Sequence, residues 1–224
     1  MKTLILPAIF ILLNIPGYSQ NILEALALKN DLIGEYVEGE ARSTDTIIDL
    51  KNGYYEEFSS LGENNKTTIR QAAIFKNHDG STTLGVSIAS WDFQCYVFET
   101  NFYEIPKRKD SIYTIANDEI LPGLAIKAFI SDSSVLTVLN QYLPAIQEKY
   151  LGSNATIDEV LSELYDIIYV QPQRGTTLIA TLKVCDYIPT NEVSIHPNDW
   201  AIIENVLISI ELEYDKVRKI FRRH

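Results

Sequence analysis

Histidine and cysteine are scarce in this chain of 224 residues, which holds three of the first and two of the second. His78, His196 and His224 stand far apart, and Cys95 and Cys185 form no C-x-x-C pair, so no spacing suits a metal and none is expected. The same poverty leaves little material for nucleophilic or metal-assisted chemistry. There is no G-x-G-x-x-G and no phosphate-cradling loop, and no cofactor is expected. Positive charge is short as well: 19 Lys and Arg face 30 Asp and Glu, a net charge of −11 at pH 7. That balance argues against a nucleic-acid partner or an anionic membrane surface.

Long apolar runs are missing beyond the start of the chain. Lys2 precedes an apolar stretch from Leu4 to Ile15, and Pro16-Gly17-Tyr18-Ser19 places small residues three and one before a cut ahead of Gln20. This is the pattern of a secretory signal peptide, too short for a spanning helix. No Cys follows the cut, so a lipid anchor of the bacterial lipoprotein kind is not expected. The expected organisation is residues 1–19 as signal peptide and 20–224 as a single α+β domain, secreted or periplasmic, with no membrane insertion once the signal is removed. A mature chain of that length can bury one full core.

The stretch from Thr67 to Ala116 reads as consecutive antiparallel strands. Leu84, Val86 and Ile88 alternate with Thr83, Gly85, Ser87 and Ala89, the period of two of a strand with one buried face. Asn77-His78-Asp79-Gly80 separates this run from Thr68–Phe75, and Asp-Gly supplies the positive φ of a tight turn. The run Phe93–Ile105 is apolar on both sides and reads as the central strand. Asn52-Gly53 between Thr46–Leu50 and Tyr54–Phe58 is a further hairpin signal.

Helical spacing appears in three places. Asn21 can cap a helix running to Ile33. Ser131 to Ser134 open another, in which Pro144 is expected to introduce a kink. Thr156-Ile157-Asp158-Glu159 fits a capping box, with Ala155 and Val160 as its staple and a buried stripe of Ile157, Val160, Leu161, Leu164 and Ile168. Strand signals return from Ile167 to Gln173, from Thr176 to Ile188 with a tip at Arg174-Gly175, and from Ile208 to Tyr214; Trp200–Asn205 is ambiguous. Lys216, Arg218, Lys219, Arg222 and Arg223 crowd the C-terminus, where Val217, Ile220 and Phe221 provide apolar anchors for an arm docked on the acidic body. Helices clustered rather than alternating with every strand give an α+β fold: an antiparallel sheet built from hairpins with helices packed against it.

The runs Ala73-Ile74-Phe75-Lys76-Asn77-His78-Asp79-Gly80-Ser81, Ile120-Leu121-Pro122 and Gln171-Pro172-Gln173-Arg174-Gly175-Thr176-Thr177-Leu178 resemble a pattern of uncharacterised exported proteins of Bacteroides-like bacteria, which carry a Leu-Pro-Arg-x-Gly-Thr-Thr-Ile run before a late strand. Gln171 and Gln173 depart from that run. The resemblance implies a shared fold and carries no catalytic residue.

Candidate sites follow from residue type. Gly85-Val86-Ser87-Ile88-Ala89 falls short of a nucleophile elbow, because the strand alternation runs straight through Ser87. Glu211 and Glu213 would lie about 7 Å apart on one strand face, where a solvated sheet surface explains them better. Tyr54, Tyr55, Trp91, Tyr96, Tyr103 and Tyr113 are amphipathic aromatics that can form a ligand platform or simply pack across strands. Cys95 and Cys185 are a possible disulfide in an exported protein, worth about 4 to 5 kcal/mol; two buried free thiols are the alternative. The leading expectation is a non-catalytic binding module for an unknown protein, peptide or saccharide. A secreted carboxylate-dependent hydrolase and an envelope structural or inhibitor protein are the alternatives.

Overall fold

The computed structural model describes residues 21–28, 41–61, 66–91, 96–108, 111–130, 133–148, 154–184, 193, 195–205 and 208–223. Strands β1 (Ala41–Asp49), β2 (Tyr54–Leu61), β3 (Lys66–Lys76), β4 (Thr82–Trp91), β5 (Tyr96–Ile105) and β6 (Tyr113–Ile115) follow one another in space as they do in sequence, forming a six-stranded antiparallel meander. Strands β7 (Tyr165–Val170), β8 (Thr177–Val184), β9 (Ile210–Asp215) and β10 (Ile220–Arg223) form a second antiparallel sheet in the order β10-β9-β8-β7. Helices α1 (Ile22–Ala27), α2 (Asn117–Ile120), α3 (Ser133–Ile146), α4 (Ile157–Leu164) and α5 (Pro197–Asn205), with a 3-10 turn at Ile126–Phe129, complete an α+β fold.

Hairpin chemistry sets the register. Gly53 has φ 68, and a Cβ there would come within 2.2 Å of Ile74 Cγ1, so only glycine fits the β1–β2 turn. Its carbonyl accepts the Ile74 N–H at 3.0 Å, tying the turn to β3. At the β3–β4 tip Asp79 Oδ1 accepts the Ser81 N–H at 2.9 Å and its hydroxyl at 2.7 Å, the Asx geometry that makes Asp a turn former.

The helices start where their caps predict. Asn21 with Glu24, and Thr156 with Glu159, form complete capping boxes. Ala155 and Val160 are both buried at the staple positions. Helix α3 continues through Pro144 to Ile146 and passes into a π-type turn at Gln147 and Glu148. The ambiguous stretch after His196 is helix α5, with Pro197 at its first position, where the missing N–H costs nothing.

Two expectations are corrected. The central strands are β3 and β4 rather than the run from Phe93, because β5 begins at Tyr96 and lies fifth of six; Phe93 itself is outside the described residues. β4 is buried on both faces from Thr82 to Ser87, since α1 covers Leu84 and Val86 while the second sheet covers Thr83, Gly85 and Ser87. Secondly, the helix expected to carry Ile168 ends at Leu164 and gives way at once to β7. The aromatic and β-branched sequence Tyr165-Asp166-Ile167-Ile168-Tyr169-Val170 pairs along its length with β8, and the Tyr165 hydroxyl donates to the Ile203 carbonyl at 2.8 Å.

The main core joins the inner faces of both sheets to α3, α4 and α5, and a smaller one lies under α1. At the junction Phe75, Phe102, Tyr214 and Phe221 pack with ring centroids 4.9 to 5.5 Å apart. The Tyr214 hydroxyl donates to Asn77 Oδ1 at 2.7 Å and lies 2.7 Å from the Thr83 hydroxyl. Asn77 Nδ2 in turn donates to Thr83 Oγ1 at 3.2 Å and to Ser81 Oγ at 2.9 Å. The β3–β4 tip and β9 are thereby locked together by a satisfied polar network. No helix of the described residues is long and apolar enough to cross a membrane.

Candidate binding groove

Register places Glu56, Gln71, Ser87 and Thr100 side by side across β2, β3, β4 and β5. They make a continuous polar rank. The Tyr54 hydroxyl donates to Glu56 Oε2 at 2.6 Å, and Gln71 Nε2 donates to the same oxygen at 2.7 Å. Gln71 Oε1 accepts the Gln171 N–H at 3.3 Å, Gln171 Nε2 donates to Ser87 Oγ at 3.0 Å, and Ser87 and Thr100 share a hydroxyl contact of 3.1 Å.

Gln171, which follows β7, is the piece that joins the two sheets here. It is only 2% exposed, and its Oε1 has no hydrogen-bond partner among the described residues. The side chain lies over Gly85, where a Cβ would stand 2.6 Å from that oxygen and 3.0 Å from Phe102. Gly85 is therefore required by close approach and not by a turn.

Beside the rank, a cavity of about 50 Å³ opens between the two sheets, with Ile69, Ala89 and Phe98 on the large sheet and Ile168, Tyr169 and Val170 on β7. Its walls are half-buried and mainly apolar, with Gln71, Ser87 and Thr100 along one side. Burial raises the pKa of the Tyr169 phenol, keeping it neutral. A space of this size suits one small side chain, whereas whole small-molecule ligands occupy about 300–1,000 Å³.

A second, open hollow of about 430 Å³ is bordered by Glu213, Asp215, Arg222 and Arg223 on the β9–β10 hairpin. Asp215 Oδ1 accepts the backbone N–H groups of Arg218 at 3.0 Å and Val217 at 2.9 Å, while Oδ2 lies 3.0 Å from Arg222. The Arg218 N–H foremost, and Arg222 with it, lower the Asp215 pKa. The shifted carboxylates elsewhere move the same way: Asp49 through Asn52, Asp79 through Lys219, and Glu159 through the Thr156 N–H. A carboxylate stabilised as the anion is a poor general acid. Glu211 and Glu213 are exposed on the outer face of β9.

The aromatic residues singled out in the sequence are distributed over the large sheet. Tyr54 is buried in the main core and Tyr103 in the smaller one; Tyr55 is half-buried on the α1 side, its hydroxyl donating to Glu57 at 3.1 Å, and Tyr113 is exposed at the sheet edge. These four do not share one exposed face. Trp91 and Tyr96 pair at the end of the β4–β5 ladder, two positions beyond Ala89 and Phe98, and their side chains lie outside the described residues. Cys95 and Cys185 lie outside them too. Ser87 sits in mid-strand without a helix behind it, and the described His78 and His196 are exposed in connections. Among the described residues no group of three His, Cys, Asp or Glu side chains could hold a metal ion.

Sequence reasoning missed Gln171 and its rank. The available signal was the polar residue at the place where the resembled pattern has leucine.

No protein-family model matches the chain, and no curated protein matches it. Among solved structures it is similar to a domain of an uncharacterised protein from Porphyromonas gingivalis W83, with 13% identity, a TM-score of 0.44, and coverage of 91% of this chain and 98% of that one. No activity is carried over from that likeness.

Proposed function

We propose that this chain is an exported, non-catalytic binding module whose groove beside β7 receives one apolar side chain presented by a protein or peptide. The observation that carries the reading is the groove itself: apolar walls from both sheets, a hydrogen-bonded polar rank at one side, and a volume of about 50 Å³. A pyranose ring needs more room, so a peptide suits the site better than a saccharide. Export rests on the residue pattern of 1–19. Amino-terminal sequencing of the protein recovered from periplasm or medium should begin at Gln20.

A carboxylate-dependent hydrolase is the competing class, and the Glu213/Asp215 hollow is where it would work. The lowered pKa of Asp215 counts against that, because an acid of that kind needs its pKa raised. The binding reading is tested by probing peptide and glycan arrays with the protein and with Ala89→Trp, which fills the groove. Peptide signals with an apolar residue at a fixed position, lost in Ala89→Trp at unchanged melting temperature, are expected. Saccharide signals indifferent to Ala89→Trp would overturn it.

A further inference from the structure

Four strands form the edges of the two sheets, and they are not protected alike. β6 is three residues long, β10 is four residues long and ends in Arg222 and Arg223, and β7 packs against β5. Shortness, charge and cover are the usual means of blunting a strand edge. β1 is nine residues long, nothing among the described residues pairs with its outer side, and its charged residues Arg42, Asp45 and Asp49 leave Thr46-Ile47-Ile48 uncharged between them. It also exposes apolar side chains on both faces, with Ile47 at 45%, Ile48 at 48% and, in the turn that follows, Leu50 at 54%.

We propose that β1 is a self-association edge, pairing antiparallel with β1 of a second copy of this chain to continue the six-stranded sheet across a two-fold axis. Charge selects the occupant and the register. An axis beside Ile47 would set Asp45 against Asp49 of the partner subunit, opposing like charges. An axis beside Ile48 sets Ile48 against Ile48 of the partner subunit, Thr46 against Leu50 of the partner subunit, and Asp45 against Lys51 of the partner subunit. Symmetry makes the Asp–Lys pair twice, and Asp45 and Lys51 are both exposed. The apolar side chains that water now surrounds are covered by their own counterparts. A contact limited to one strand edge is small, so the dimer is a reversible one.

The test is sedimentation equilibrium of the purified protein over a concentration series, with three variants at exposed positions. The native protein is expected to pass from monomer to dimer. Ile48→Lys puts two ammonium groups at the axis and abolishes the dimer; Lys51→Glu weakens it by roughly tenfold. Asp45→Lys with Lys51→Glu restores the native constant. A native protein that stays monomeric throughout overturns the proposal, as does a dimer that Ile48→Lys leaves intact. Because β2 stands between β1 and β3, the nearest strand of the groove, loss of the dimer with array binding retained separates this proposal from the groove reading.

Discussion

Lys219 adopts φ 59, a left-handed conformation that costs a side chain about 1 kcal/mol and usually selects glycine. Its ammonium explains the exception, since it bridges Asp79 at 2.7 Å and Glu104, fastening the β9–β10 turn to the β3–β4 tip and β5. Lys219 holds the Asp79 carboxyl well below its ordinary 3.8. A depressed folded-state pKa stabilises the fold above the unfolded value, and that contribution is lost as pH falls from 3.8 through the folded one. Lys219→Met should lower the melting temperature near neutrality and shrink the further drop between about pH 5 and pH 2. Thermal melts across that range check it; parallel curves for the two proteins would refute the clamp. Gly85 offers a second residue-scale test. Gly85→Ala forces the Gln171 amide to move and should cost about 1–3 kcal/mol in urea unfolding. With Gln171→Ala beside it most of that penalty should vanish, and additive costs would show that the two do not collide.

Among the elements, β10 shows how apolar and charged residues divide the work of holding a strand. Phe221 is buried between Phe75, Phe102 and Tyr214, while Arg222 pairs with the partly exposed Asp215. Phe221→Ala should cost about 3 to 5 kcal/mol. Arg222→Ala with Arg223→Ala should cost under about 1 kcal/mol. Denaturant midpoints decide between them, and an equal loss from both would mean that charge holds the arm. Its partner strand β9 was legible in the sequence because burial and alternation coincide: Ile210, Leu212 and Tyr214 are buried while Glu211 and Glu213 are exposed. The hairpins at Gly53 and Gly80 and the caps at Asn21 and Thr156 were legible for the same reason, since each depends on neighbours in sequence. The end of α4 was not. Leu164 and Ile168 fit one helical stripe, and the competing partner, β8, lies beyond an intervening turn.

On the scale of the molecule, local pattern announced an antiparallel sheet and not its division into two. The helical segment between β6 and β7 separates the two sets of strands. Nothing within a strand tells which sheet it joins. Likewise β4 alternates as if one face met water, yet its small and polar positions face Gln171 and Tyr214, contacts 84 and 131 residues distant in sequence. The groove arises from the same long-range meeting, so its residues carried no motif. The aromatics singled out in the sequence are legible as strand formers, whereas the apolar wall of Ile69, Ala89 and Phe98 becomes a site only when β7 lies against it. The most direct measurement is amide-resolved NMR titration of the protein with a peptide selected on the array. The account predicts shifts concentrated at Ile69, Ala89, Phe98 and Ile168 to Val170, and none of them in Ala89→Trp. Shifts confined to the Glu213, Asp215, Arg222 and Arg223 hollow, or unchanged by Ala89→Trp, would contradict it.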